Sequence, residues 1–196
     1  MKIAVTGGIG SGKSYVSRLL QQHGLAVYDC DAAAKRLMRT SDELKARLCA
    51  LIGPQTYTSE GVLNKAEVAR FLLLSDDNAR AIDAIVHPAV AADFVGSGAT
   101  WMECAILYES GFDCLVDRVV VVTAPETLRL ERVMQRDGIS QEKAREWMLR
   151  QWPQEEVRCR ADFEIVNDGC ADLEAQLSQL WQVCSQWEKS LKQEQN

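Results

Sequence analysis

The segment Gly7-Gly8-Ile9-Gly10-Ser11-Gly12-Lys13-Ser14 constrains this chain more than any other. It fits G-x-x-x-x-G-K-S/T at every fixed position. The apolar run before it, Lys2 to Thr6, reads as a short buried strand, and the residues after it, from about Lys13 to Gln22, read as a helix that Gly24 ends. A strand, a glycine-rich turn and a helix N-terminus together make a phosphate cradle. The glycines let the backbone wrap around an anion and aim N–H groups at it. The helix N-terminus adds partial positive charge. In such a loop Lys13 reaches the β- and γ-phosphates and the Ser14 hydroxyl is a ligand for Mg²⁺. G-x-G-x-x-G finds no register in residues 7–14, which excludes a dinucleotide-binding turn.

Leu25 to Tyr28 reads as a second strand, so the chain opens with a βαβ unit and is expected to be α/β with a parallel sheet. From Asp31 to about Phe94 the pattern is helical, with no convincing strand. Asn64 with Glu67 fits a cap box, and Ser75 before Asp76 and Asp77 fits another helix start. Pro88 fits the first turn of a fresh helix after a break at His87. Thr100 to Leu107 and Arg118 to Thr123 read as strands. Pro125 opens a helix to about Arg136, which Asp137-Gly138 breaks. Ser140 caps the next helix and Pro153 ends it. A short helix to about Arg160, a strand Phe163 to Val166 and an amphipathic helix from Asp172 to about Lys189 complete the order. The tail Gln193-Glu194-Gln195-Asn196 is polar and reads as frayed.

Charge narrows the ligand. The 22 Lys and Arg against 28 Asp and Glu leave a net charge of -6, which argues against a broad nucleic-acid surface. A local cationic pocket for a small anion does not need a basic total. No apolar run reaches the about 18 residues of a membrane span, and no signal segment is visible, so the cytoplasm is the expected location. The seven cysteines are odd in number and widely spaced, without C-x-x-C. They read as reduced thiols packed as small apolar residues rather than as zinc ligands or a disulfide framework.

Among P-loop classes, a GTPase needs D-x-x-G and then N-K-x-D. The nearest strings, Asp93-Phe94-Val95-Gly96 and Asn64-Lys65-Ala66-Glu67, occur in the wrong order, and the second ends in Glu. A motor ATPase wants a strand ending in Asp-Glu, whereas Val119 to Val122 ends in Thr123. A small kinase fits better, because arginines follow: Arg129, Arg132 and Arg136, then Arg145, Arg150, Arg158 and Arg160. Arg132 and Arg136 share one helix face and suit a transferring phosphoryl group. The hairpin from Asp137 to Arg160 reads as a lid; the alternative is a solvated face paired with Glu131, Glu142 and Glu146. Asp29 and Asp31 follow the second strand, at the sheet edge where ligands gather. Either is a candidate to orient an acceptor hydroxyl and take its proton, and either is a candidate helix cap. Glu109 is a second acidic candidate or a loop carboxylate. His87 is a candidate for an anionic acceptor or a structural histidine.

The chain resembles the dephospho-CoA kinase family over nearly its whole length. The resemblance rests on an ordered set: Thr6 to Ser14, Tyr28-Asp29-Cys30-Asp31, Val86-His87-Pro88, Ile106-Leu107-Tyr108-Glu109-Ser110-Gly111, Arg132 to Asp137, Arg150-Gln151, Arg160-Ala161-Asp162 and Asn167-Asp168-Gly169. It implies a three-layer P-loop kinase fold with a five-stranded parallel sheet. The core would comprise residues 1–30, 97–136 and 161–196, with a helical acceptor domain at 31–96 and a lid at 137–160. It implies transfer of phosphoryl from ATP, with Mg²⁺, to the ribose 3′-hydroxyl of dephospho-CoA. Asp31 would be the base; Lys13, Arg132 and Arg136 would stabilise the phosphoryl group. Gly8 to Tyr15 and Asn167 would bind ATP, with Asn167 near adenine; Asp31, His87 and Glu109 would face the acceptor. Tyr15, Glu103 and Ala105 depart from residues usual in the family, where Thr, Asp and Pro are common. Two other readings remain at this level: a small kinase for a nucleoside monophosphate or sugar, and a nucleotide-dependent switch.

Overall fold

The structure, a computed structural model, describes residues 1–194; Gln195 and Asn196 of the polar tail lie outside the described residues. The chain divides into two compact units, one formed by Met1–Val27 with the chain from Thr100 onward, the other by Tyr28–Ala99. The 137–160 hairpin belongs to the first unit.

The first unit carries β1 (Ile3–Thr6), α1 (Lys13–Gln22), β3 (Trp101–Glu103), β4 (Arg118–Thr123), α6 (Glu126–Asp137), α7 (Gln141–Leu149), α8 (Gln154–Arg160), β5 (Phe163–Val166) and α9 (Leu173–Glu194). The strand β2 (Val27–Asp29) spans the boundary. The five-stranded sheet runs β2-β3-β1-β4-β5. β1 pairs in parallel with β3 and β4, and β4 with β5. β1, β3 and all but the first residue of β4 are buried, which is why they read as continuous apolar runs rather than alternating ones. Ile3, Val5, Val120 and Val122 pack with Val16 and Leu20 of α1 and with Leu177 and Leu180 of α9. Each such burial contributes roughly 1.5–3 kcal/mol. Leu173, Leu177, Leu180, Trp181, Cys184 and Trp187 recur at helical spacing and form the stripe by which α9 joins this core.

β3 is shorter than the expected Thr100 to Leu107. The Cys104 N–H still donates to Val5 at 3.0 Å, but Ser110, Gly111 and Phe112 then donate to Ile106, Tyr108 and Leu107. Those local turn bonds curl residues 106–112 out of the ladder.

The second unit is helical: α2 (Cys30–Thr40), α3 (Asp42–Ile52), α4 (Lys65–Leu72) and α5 (Asp76–Ser97). Asn64 caps α4 by accepting from the Glu67 N–H, and Ser75 caps α5 by accepting from that of Asp77. The expected break at His87 does not occur: Pro88 lies inside one 22-residue helix. An interior proline costs about 3 kcal/mol. Val86, Val90 and Phe94, spaced four apart on α5, are all buried, and together they outweigh that cost at roughly 1.5–3 kcal/mol each. The Tyr28 hydroxyl donates to Asp93 at 2.7 Å, and the Arg36 guanidinium donates to the same oxygen. These bonds, Tyr28's first, hold the Asp93 carboxyl below its ordinary pKa. All seven cysteines are free thiols, and no described helix is long and apolar enough to cross a membrane.

Candidate active site

The loop between β1 and α1 is held from outside by its carbonyls. Ile9 C=O accepts from Arg129 Nε at 3.0 Å. Gly10 and Ser11 C=O accept from Arg132 Nη1 at 3.4 Å each, and Ser11 C=O also from Asn167 Nδ2 at 2.9 Å. In a trans peptide the C=O of one residue and the N–H of the next point in opposite directions. Fixing the Ile9 and Ser11 carbonyls therefore turns the N–H groups of Gly10 and Gly12 away from these partners, as an anion cradle requires. Gly10, at φ +81°, lets α6 run against the loop: a Cβ there would lie 2.5 Å from the Arg129 carbonyl oxygen. Gly12, the N-cap of α1 at φ +91°, leaves room for the Asn167 amide.

Arg129 is the first of the seven arginines from residue 129 onward; it is 7% exposed and bound to the loop. Burial pulls its pKa down and Glu126 opposes this, yet a guanidinium remains cationic. Its i,i+3 spacing from Arg132 was the available signal. Arg132 also donates to Asn167, to the backbone oxygen at 3.0 Å and to the side-chain oxygen at 3.4 Å. It thus ties the P-loop to the turn after β5. Arg136 is more exposed and pairs with Asp137 through Nε–Oδ1 at 3.0 Å and Nη2–Oδ2 at 2.7 Å; hydrogen bonding to Asp137 raises its pKa. A cleft of about 290 Å³ lies along the loop, lined by Gly10, Gly12, Lys13, Ser14, Tyr15, Arg18, Arg132 and Arg136. The Tyr15 ring stands 47% exposed, with the Arg18 guanidinium 5.7 Å from its centroid.

Ser14 Oγ donates to Glu103 Oε1 at 2.5 Å. Glu103, 9% exposed at the end of β3, was noted in the sequence only as a departure from family usage. The sequence carries the expected strand on to Leu107, so nothing there marks Glu103 as its end. The two residues supply hard oxygen donors, which fit Mg²⁺. That ion is bound through one or two protein oxygens plus phosphate and water. No group of three or more His, Cys, Asp and Glu able to hold a metal occurs among the described residues.

Glu109 Oε1 accepts from the Trp152 N–H at 2.9 Å, so this acceptor-site candidate holds the turn after α7. The remaining candidates belong to the second unit. Asp29 caps α2, accepting from the Ala32 N–H at 2.9 Å. Asp31 lies exposed in the first turn of α2, beside buried Cys30. His87 Nε2 is 3.5 Å from Asp83, one turn earlier on α5.

Comparison with known proteins bears on the family and the fold. The sequence model of the family described as Dephospho-CoA kinase matches residues 1–172. A dephospho-CoA kinase of Bacteroides fragilis is 40% identical over 192 residues, covering 92% of this chain and 91% of that protein. One from Geobacillus kaustophilus is 32% identical, covering 96% and 97%. The crystal structure of TT1252 from Thermus thermophilus aligns with a TM-score of 0.78 at 31% identity, covering 95% of this chain and 97% of that one. The dephospho-CoA kinase of Campylobacter jejuni, at 23% identity and a TM-score of 0.63, shares the fold over 97% and 99%. With a family match from residue 1 to 172 and relatives aligned nearly end to end, the chain belongs to the dephospho-CoA kinase family.

Proposed function

We propose that this kinase transfers the γ-phosphoryl group of ATP to the ribose 3′-hydroxyl of dephospho-CoA, giving CoA and ADP. The observation that carries the reading is the P-loop whose carbonyls are tied outward by Arg129, Arg132 and Asn167. That arrangement preorganises N–H groups for a triphosphate before it binds. Gly8 to Tyr15 would hold the phosphates and Asn167 would lie beside the base. Ser14 and Glu103 would hold Mg²⁺, which when bound neutralises charge on the phosphate oxygens. Lys13, Arg132 and Arg136 would add positive charge around the phosphoryl group. The acceptor oxygen bonds to the γ-phosphorus as the bond to the β,γ-bridging oxygen breaks, and the hydroxyl proton passes to a carboxylate. We assign that role to Asp31, since Asp29 is engaged as a helix cap. Residues 31–96, with His87, would serve the acceptor together with Glu109, and 137–160 would act as the lid. We place this work in the cytoplasm, the setting that seven free thiols favour.

The test is ADP formation from MgATP with and without dephospho-CoA, with the product identified by mass. Acceptor-dependent ADP and conversion to CoA are expected. Asp31→Asn should keep nucleotide binding and lose about 10²–10⁴-fold in kcat. Turnover independent of dephospho-CoA would overturn the substrate, and an Asp31→Asn variant as fast as the wild type would overturn the base.

A further inference from the structure

We infer that Gln151 is a positioning residue for phosphoryl transfer: it sets the Ile9 peptide of the P-loop and ties it to the loop that carries Glu109. The inference rests on the proposed kinase reaction. Gln151 Oε1 accepts from the Ile9 N–H at 2.7 Å, while its Nε2 donates to the Ala105 carbonyl at 3.3 Å. The Ile9 carbonyl is taken by Arg129. Both polar groups of Ile9 are therefore committed, and neither partner is near it in sequence. The adjoining residue repeats the connection, since Trp152 N–H bonds the Glu109 carboxylate. Its ring stacks on Tyr108 at 5.5 Å and 15°, under the Arg160 guanidinium at 4.5 Å.

An amide suits this place for a chemical reason. One side of residue 151 meets a donor and the other an acceptor, and Gln supplies both complements in one group. A carboxylate satisfies only the Ile9 side; a thioether of similar shape satisfies neither. Apolar packing also holds Ile9, which lies with Trp147 and Met148 against Leu130, Val133 and Ala144, so the polar ties set the orientation of its peptide rather than its place. An open cleft of about 560 Å³ lies beside the turn, lined by Arg129, Met148, Leu149, Trp152 and others, and Leu149 is 84% exposed. Releasing the Ile9 N–H removes one of the two bonds on the Gly8–Ile9 peptide, whose Gly8 carbonyl accepts from the Ser11 N–H at 3.1 Å, and so loosens the tip of the phosphate loop. A misplacement on the order of 1 Å there costs about 10²-fold in rate.

The experiment compares wild type, Gln151→Met and Gln151→Glu for kcat, KM for ATP, acceptor-free ATP hydrolysis and thermal midpoint. Gln151→Met is expected to lower kcat by about 10–100-fold with KM for ATP within about threefold, and to slow acceptor-free hydrolysis by a similar factor. Gln151→Glu, which keeps the Ile9 bond, is expected to retain more kcat than Gln151→Met. A Gln151→Met enzyme within twofold of wild type overturns the inference. So does a joint collapse of kcat, nucleotide binding and melting temperature in both variants, which would mark a merely structural residue. If Gln151→Glu is no better than Gln151→Met, the Ile9 bond is not the one that matters. Should the wild type fail to phosphorylate dephospho-CoA, the proposed function fails, and the acceptor-free hydrolysis rates of the variants still decide the role of Gln151.

Discussion

Replacing Gly10 by Ala tests how closely α6 and the phosphate loop must approach. At φ +81° the new Cβ would lie 2.5 Å from the Arg129 carbonyl oxygen, 2.9 Å from its Cα and 3.0 Å from its carbonyl carbon. Two costs combine. A left-handed conformation costs a non-glycine residue about 1–2 kcal/mol. Overlap with main chain, which no rotamer change relieves, adds about 1–3 kcal/mol. Gly138→Ala isolates the first cost, since Gly138 has φ +64° with nothing within 4 Å of the added atom. Trp101, Trp147, Trp152, Trp181 and Trp187 all lie outside residues 28–99, so a fluorescence-detected melt reports the first unit alone. At about 2–4 °C per kcal/mol for a chain of this size, Gly138→Ala should melt about 2–8 °C below wild type and Gly10→Ala about 4–20 °C below it. MgATP binding should weaken at least about tenfold in Gly10→Ala alone, because α6 can only yield by carrying Arg129 and Arg132 away from the loop. Equal melting temperatures for the two variants, or undiminished nucleotide binding by Gly10→Ala, would refute the reasoning.

Two further outcomes follow from charge and burial. The Asp93 carboxyl is held below its ordinary 3.8 by hydrogen bonds from Tyr28 and then Arg36, so its contribution to stability is present above that value and is lost as pH falls through the depressed one. Asp93→Asn should therefore unfold at lower urea than wild type near neutrality, with the gap closing below about pH 4; a gap that does not change with pH rejects this. The Cys184 thiol is pushed up to about 11 by burial, with the Glu188 charge assisting, whereas Cys114, Cys159 and Cys170 are exposed. Iodoacetamide at pH 8 should modify those three well before Cys184, as read by peptide mass, and labelling of Cys184 at their rate would contradict it.

Features set by local chemistry were legible in the sequence. The P-loop boundaries, the caps at Asn64, Ser75 and Ser140, and the stop at Gly138 each depend on residues within a few positions of one another. Pro88 was misread because its penalty is local while the burial of Val86, Val90 and Phe94 that overrides it is tertiary. β3 was overextended because apolar residues 105–107 pack in turns as readily as in a strand. The site divides in the same way. Lys13 and Ser14 come from the motif itself. Glu103, Arg129 and Gln151 act on partners 89, 120 and 142 positions away, and no spacing rule announces such pairs. Arg132 is legible through its helix face, but its bonds to loop carbonyls, rather than to solvent or to Glu131, Glu142 or Glu146, emerge only from the fold.

The strand order has a consequence for how the chain is made. β1 is flanked by β3 and β4, so Ile3 aligns with Trp101 on one side and Arg118 on the other. During synthesis from the N-terminus neither partner exists until the whole helical segment Tyr28–Ala99 has been produced. That segment forms a compact unit of its own apart from the end of β2, which lies beside the later β3, whereas β1 must close a long loop, at an entropic cost, before its first ladder bond forms. The phosphate loop, attached to β1, is thus made well before the strands on either side of β1 that fix its place.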